Sequence, residues 1–273
     1  MNEFTIPDAE RLLEASIDHR VLKRVPPVIG WPLVRSNGPA KRALFINVKT
    51  TGPSVDRDQI MALGCVAFSY DATSGSMTEA EEPRSFDEPA PEQIDALVEG
   101  VDLFVAHRAG LVRPLMEKLS PRFLDTNWAC SHDEIVWADE GLWTARVEDL
   151  LTRLGWFNDR TDVASYASSG AFLLSLALPR SGRTVLQTLL THARRPLMAV
   201  RAAGMGWTQR EAMKQRGYHW NKGGDGHEPA WTILTEAPEV EIAWLNGEIY
   251  PKPREVTPIP MPASRRYSSR PWR

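Results

Sequence analysis

The sequence predicts a mixed α/β fold: a sheet flanked by helices, followed by a small α+β module. Three observations carry this. Two strong strand patterns open the main segment, helical patterns then interleave with a further short strand, and a composition shift at Arg195-Pro196 precedes a compact, aromatic-rich stretch. Four segments result: an N-terminal arm over 1–41, a main domain over 42–195, a small C-terminal module over 196–250, and a basic Pro/Arg-rich tail over 251–273.

In the arm, Asp8 to Ala15 has a helical pattern, and Val25-Pro26-Pro27 ends what precedes it because proline cannot continue a helix. Residues 42–49 and 59–70 read as strands; the second is apolar enough for a sheet interior. Gly52-Pro53 and Asp56-Arg57-Asp58 supply the turn between them. A helix begins at Pro89 to Glu92 and closes by Gly100. Leu103 to His107 is a short buried strand. Helices follow at Arg113 to Leu119 and at Ser131 to Ile135, the latter opened by a capping serine with Glu134 three residues on. Val147 to Leu154 is an amphipathic helix ended by Gly155. Ser165 to Leu178 and Thr184 to Arg194 complete the main segment. The module adds a strand at Leu197 to Val200, a helix at Gln209 to Gln215, a Gly-rich turn at Lys222 to Gly226, a strand at Ala230 to Leu234, and an acidic helix carrying Trp244. The tail reads as irregular.

Composition narrows the class. The chain has 273 residues, 42% of them hydrophobic, which is ordinary for a globular core. No apolar run approaches the roughly 18–20 residues of a membrane-spanning helix. Met1-Asn2-Glu3-Phe4 lacks the basic then apolar regions of a secretory signal. Two distant cysteines, Cys65 and Cys130, form neither a disulfide framework nor a zinc motif, so a reducing cytoplasm is expected. The net charge of −3 conceals an acidic stretch from Asp71 to Glu99. It also conceals a basic tail carrying Arg254, Arg265, Arg266, Arg270 and Arg273, read either as a phosphate-attracting segment or as a solvated terminus.

The richest stretch is Ala43-Leu44-Phe45-Ile46-Asn47-Val48-Lys49-Thr50-Thr51-Gly52, an apolar strand running into a Thr-Thr-Gly turn. It resembles the first motif of the DEDDh 3′–5′ exonucleases, which reads Asp-x-Glu-Thr-Thr-Gly; Asn47 and Lys49 stand at the two carboxylates. Asp102 to Pro114, with Ala106-His107-Arg108-Ala109, is similar to the second motif and puts Val112 at its aspartate. Asn127-Trp128-Ala129-Cys130-Ser131 resembles a junction found in one bacterial branch of that family. The last motif, a histidine followed five residues later by an aspartate, aligns on Val163 and Ser168, or one residue earlier on Asp162 and Ala167. The arm 18–27, the Arg216-Gly217-Tyr218-His219-Trp220-Asn221 stretch and the tail 265–270 also look like that branch. The resemblance implies a ribonuclease-H-like sheet.

In such enzymes closely spaced carboxylates hold two magnesium or manganese ions, one activating water and one stabilising the leaving oxygen. Magnesium relies on oxygen ligands and carboxylate charge. Here the four positions read Asn47, Lys49, Val112 and Ser168. At an effective dielectric of about 20, an ammonium about 4 Å from a divalent ion repels it by roughly 8 kcal/mol. The resemblance therefore implies the frame of a nuclease with its metal site and general base lost, and no metal cofactor.

Lys49 could instead hold a phosphate together with Arg108 and Arg113. The plainer reading is a solvated strand-end lysine, with Arg113 pairing to Glu117. His107 lacks a carboxylate partner and reads more readily as structural. Cys130 reads as a buried thiol. His219 and His227 lack metal-site spacing. No nucleophile elbow, Walker loop or dinucleotide turn occurs. Trp207, Tyr218, Trp220 and Trp231, with Arg210, Lys214, Arg216 and Lys222, could stack on bases and hold phosphates, or simply supply the core of a small module.

The expected function is a non-catalytic nucleic-acid-binding or protein-docking subunit of a larger nucleic-acid-processing assembly. Its nucleic-acid contacts are Lys49, Thr50, Thr51, His107, Arg108, Arg113, Arg216, Trp220 and Lys222. Its partners are nucleic acid and protein, without a membrane. Two rivals stand beside it: an active exonuclease using Asp56, Asp58 or Asp162 as ligands, and a scaffold without nucleic-acid affinity.

Overall fold

The structure is a computed structural model. It describes residues 5–159, 161–205, 207–224 and 226–270, the Trp207 side chain excepted. The Met1 to Phe4 terminus and Arg273 lie outside the described residues.

Helix α1 (Ile6–Glu14) starts where the Asp8 carboxylate accepts the Thr5 N–H at 3.1 Å, and β1 (Lys23–Arg24) follows. Strand β2 (Ala40–Thr50) and the longer β3 (Ile60–Asp71) form the antiparallel centre of the main sheet. The short strands β4 (Met77–Ala80) and β5 (Arg84–Asp87) both pair antiparallel with β3. The acidic stretch therefore holds two edge strands that its charge concealed, since charged residues are tolerated on a sheet edge. After α2 (Pro91–Ala96), β6 (Leu103–Ala106) pairs parallel with β2. Helix α3 (Ala109–Leu119) leads to β7 (Trp128–Cys130), parallel to β6. The sheet order is β4-β3-β2-β6-β7, with β5 alongside β3.

Helix α4 (Val147–Arg153) ends before Gly155, whose φ of +89° suits a residue without a side chain. Strand β8 (Trp156–Phe157) pairs parallel with β1, tying the arm to the main body. Helix α5 (Val163–Ser175) is capped by Asp162, which accepts the Ser165 N–H at 2.9 Å. Helix α6 (Val185–Ala193) opens on a reciprocal Thr184–Gln187 box. Strand alternation sorts the core into two layers. Ala43 and Phe45 face α5 and α6, packing with Phe172, Leu186 and Leu189. Leu44 and Ile46 face α3, packing with Met116, Phe123 and Trp128.

A second sheet follows, of order β10-β11-β9-β12: β9 (Met198–Ala203), β10 (His219–Asn221), β11 (Ala230–Thr235) and β12 (Ile259–Pro260). Helices α7 (Arg210–Gln215) and α8 (Pro238–Trp244) accompany it. Tyr218, Met213, Leu245 and Ile249 make its core. The hairpin partner β10 escaped the sequence reading, because three residues give no periodicity.

Two expectations are corrected. Residues 131–135 form turns, not a helix. The Ser131 hydroxyl bonds the His107 ring at 2.9 Å, and Glu134 pairs with Arg266 and accepts from the Tyr267 hydroxyl. The groups that would have capped a helix are thus recruited by distant partners. Nor is the tail solvated throughout: around Ala263 and Arg266 it docks on the body. Trp128 N–H donates to Ala263 at 3.0 Å, and Arg266 is only 2% exposed, donating to the Met261, Ala193 and Arg195 carbonyls.

Candidate nucleic-acid site

The alternation of β2 that turns Phe45 toward α5 also turns Asn47 and Lys49 to that face. Asn47 is half-buried and Lys49 exposed. Both border a cavity of about 410 Å³ lined by Asn47, Val48, Lys49, Glu148, Thr161, Val163 and Tyr166. Helix α5 reaches β2 and β3 closely because two glycines permit it. A Cβ on Gly170 would lie 2.1 Å from the Phe45 ring, and one on Gly64 would lie 2.1 Å from the Val163 carbonyl oxygen.

The other two positions aligned with carboxylates, Val112 and Ser168, stand elsewhere. Val112 is 5% exposed in the apolar layer on the opposite side of the sheet, with Leu44 and Ile46. Ser168 opens on a second cavity, of about 490 Å³, with Arg24, Glu82, Asn158 and Asp162. On an α-helix Val163 and Tyr166 share a face, whereas Ser168 is turned about 140° from Val163. The alternative register fares no better, since Asp162 caps α5 and Ala167 is fully buried. Thr161 and Tyr166, also five residues apart, are the pair that borders the cavity. Val163 lies on the same wall between them, and neither Thr161 nor Tyr166 is an acid or imidazole that the motif would have picked out. Glu148 left no sequence signal.

The turn after β2 is internally satisfied. The Thr50 hydroxyl donates to the Gly52 carbonyl at 2.7 Å. Thr51 donates to Asp58 at 3.0 Å and accepts the Gln59 N–H at 3.1 Å. Asp58 also accepts the Ser54 N–H at 2.7 Å. Both threonines, expected to meet nucleic acid, spend their hydroxyls on the turn.

His107 is likewise structural. Its Nε2–H donates to the Ala145 carbonyl, so Nδ1 accepts from the Ser131 hydroxyl. Burial pushes its pKa down from 6.5 to about 4. Unfolded, the ring binds a proton that the native ring refuses between those values. Its contribution to stability is therefore complete above about pH 6.5 and is lost as the pH falls toward 4. Acidification from pH 7 to 4 should cost up to about 3 kcal/mol through this ring. Urea midpoints should show a shallower acid limb for His107→Asn; an unchanged limb would remove His107 from the account.

Arg108 precedes α3 and is exposed. Arg113 is fully buried and cannot reach a ligand. It pairs with Glu117 at 2.8 Å and donates to the Leu124, Ala263, Ser264 and Arg266 carbonyls. Arg216, itself exposed, pairs with Glu241 at 3.1 Å and lies over the Trp244 ring at 5.0 Å. Trp220 is 56% exposed and meets Trp231 edge-on at 5.7 Å. Lys222 pairs with Asp56 across 3.5 Å, both side chains being open to solvent. Of the other aromatics, Tyr218 is buried, Trp231 packs on the same core, and the Trp207 side chain lies outside the described residues. Lys214 pairs with Glu211. Burial pushes the Cys130 thiol up to about 12, which removes it as a nucleophile at neutral pH.

Two divalent ions require several carboxylate oxygens at one place. The cavity offers one carboxylate, Glu148, beside an ammonium, Lys49. Among the described residues no three His, Cys, Asp or Glu side chains stand together as a metal site. Of the rival ligands, Asp56 pairs with Lys222, Asp58 fixes the turn and Asp162 caps α5. The residues present do not fit the two-ion group.

No protein-family model matches the chain, and no curated protein matches it. Among solved structures it is similar to E. coli exonuclease I in complex with a dA16 oligonucleotide, at 12% identity and a TM-score of 0.40, covering 73% of this chain and 64% of that chain. The metal-free form of the E. coli ExoI–ssDNA complex gives 12% and 0.41, covering 72% and 62%. An ExoI/SSB-Ct complex gives 15% and 0.37, covering 60% and 49%. The chain thus spans about half to two thirds of the length of these structures. No helix among the described residues is long and apolar enough to cross a membrane. What the chain itself supplies is a mixed sheet flanked by helices, with a lysine-bearing cavity at the end of its central strand.

Proposed function

We propose that this chain is a degenerate DEDDh-type, ribonuclease-H-like protein that holds nucleic acid without cutting it, as a subunit of a larger nucleic-acid-processing assembly. The observation that carries the reading is the cavity wall. Asn47 and Lys49 stand where the resemblance implies carboxylates, and α5 presents Val163 and Tyr166 rather than an acid or a base. The sheet order β4-β3-β2-β6-β7, antiparallel on one side of β2 and parallel on the other, supports the ribonuclease-H-like assignment. An ammonium binds a phosphate by charge-assisted hydrogen bonds, and Tyr166, 37% exposed, offers a ring edge or face beside it. Such a chain acts without a metal cofactor, in the cytoplasm.

Binding of single- and double-stranded DNA and RNA at two salt concentrations tests the reading. Lys49→Ala should weaken binding by about tenfold, as expected for one charge-assisted bond, and should reduce the salt slope by about one. Incubation of labelled strands with magnesium or manganese should leave them intact. Degradation abolished by Asp162→Ala but not by Lys49→Ala would establish the active rival instead. Absence of binding at low salt, with a stable protein partner recovered from cells, would make the chain a scaffold.

A further inference from the structure

The tail is fastened to both sheets. Ile259 and Pro260 pair with Ala199 and Met198 of β9, which anchors it in the C-terminal module. A few residues on, the Ala263 carbonyl takes the Trp128 N–H at 3.0 Å, on β7 at the edge of the main sheet. Met261 joins Ala199 in the module, whereas Tyr267 packs on the body layer that holds Leu44 and Ile46. Among the described residues no strand of one sheet pairs with a strand of the other.

Arg266 sits where these pieces meet. It donates to Met261 of the tail at 3.0 Å, to Ala193 at the end of α6 at 3.0 Å, and to Arg195 of the connecting segment at 2.6 Å. Its charge faces Glu134 of the body at 3.2 Å. Tyr267, next in the chain, has a φ of +65°, a region that a bulky residue enters only where its surroundings impose it. Its hydroxyl donates to the same Glu134 at 3.1 Å, so one carboxylate holds both residues. A cleft of about 840 Å³ lies beside them, with Gly110 and Pro114 on the body side and Thr232 and Leu234 on the module side. The module also reaches the turn that follows Lys49, where Lys222 meets Asp56 at 3.5 Å.

We propose that residues 261–269 are a strained strap with Arg266 as its positioning residue. Docked, the strap locks the module against the body. Released, it lets the module move off as a unit, which opens the cleft and withdraws Lys222 from the turn beside the candidate site. Two effects favour release once the guanidinium is gone. Glu134 and the carbonyls of Ala193 and Arg195 lose their donor, and each buried group left unpaired keeps its desolvation cost. The Tyr267 backbone, no longer held, relaxes out of the left-handed region. The module core of Met213, Tyr218 and Leu245 makes no use of the strap, so it stays folded. Units joined by so narrow a contact move relative to one another unless something ties them.

The experiment uses the full chain as wild type, Arg266→Ala and Arg266→Lys, with two readouts. Native-state hydrogen exchange follows the Trp128 N–H, bonded to Ala263, and the Ser269 N–H, bonded to Glu117. Carbodiimide coupling of Lys222 to Asp56, read by peptide mass, reports where the module stands. In Arg266→Ala both amides should lose protection by about a hundredfold, as for removal of one partner of a buried ion pair. Amides of β3 and β11 should keep theirs, and the Lys222–Asp56 coupling should fall severalfold. Arg266→Lys should lie between, because an ammonium cannot span the same acceptors; it carries the test if Arg266→Ala does not fold. Wild-type exchange at Trp128 overturns the strap. So does loss at Trp128 and Ser269 with undiminished coupling, since the tail then peels without moving the module. Equal loss at every amide also overturns it, because Arg266 would then support the whole fold rather than one contact.

Discussion

Arg113→Ala should be among the most damaging single substitutions in this chain, costing about 3–5 kcal/mol of stability, the range for removing one partner of a buried ion pair. Arg113 has no exposure to solvent, and its guanidinium donates to Glu117 and to the carbonyls of Leu124, Ala263, Ser264 and Arg266. Glu117 in turn accepts the Ser269 N–H at 2.9 Å and the Ser269 hydroxyl at 2.6 Å. Truncation strands a carboxylate at 8% exposure together with the tail carbonyls. Each buried group left without a partner retains its desolvation cost. Urea denaturation reads the loss, and trypsin should cleave after Arg265 and Arg266 well before the body is digested. Arg113→Lys should recover only part of it, because an ammonium cannot present the planar fork that spans several acceptors. Arg113→Ala/Glu117→Ala should be less damaging than the sum of the single changes. A loss below about 1 kcal/mol, with a protected tail, would mean that the tail docks by other means.

Gly64→Ala is the second large effect. The added carbon would sit 2.1 Å from the Val163 carbonyl oxygen and 3.0 Å from the Ala164 nitrogen. Both obstacles are backbone, so no side-chain rotation relieves them, and the start of α5 has to move off β3. Overpacking of this kind costs about 1–3 kcal/mol, occasionally more. The displaced residues include Val163 and, one turn on, Tyr166, both on the cavity wall. Stability and strand binding should therefore fall together although Lys49 is untouched. Gly170→Ala meets the Phe45 ring, also at 2.1 Å, and a ring can shift, so its cost should be smaller. Gly247→Ala, which meets nothing within 4 Å, is the matched control and should be nearly neutral. Thermal unfolding and anisotropy titrations on the same preparations check all three; a Gly64→Ala protein as stable as the control would contradict the close approach.

The strands at 42–49 and 59–70 were legible because their apolar runs are long. The helices over 147–154, 165–178 and 184–194 were legible because their cores and caps lie within a few residues of one another. The edge strands at Met77–Ala80 and Arg84–Asp87 were not, since a charged four-residue edge carries almost no pattern. The helix expected at Ser131 failed because His107 and Arg266, 24 and 132 residues away from their partners, took the capping groups. At the candidate site Asn47 and Lys49 were placed by strand alternation, a local rule. The α5 residues depended on an alignment register that sequence left open between neighbouring positions, and one residue of slip turns a helix by about 100°.

What the sequence determined by itself is that β2 carries no acid at 47 or 49: with Asn47 and Lys49 there, no folding of the chain could place two carboxylates at those positions. Which side chains surround that lysine was decided only in three dimensions. Thr161, Tyr166 and Glu148 come to it through the packing of α4 and α5 on the sheet, while Arg113, a phosphate ligand by its position in the chain, is drawn inside to hold the tail. The reason is physical. Residue type fixes what a group can donate or accept, but burial and partners a hundred residues away fix whether it is free to do so.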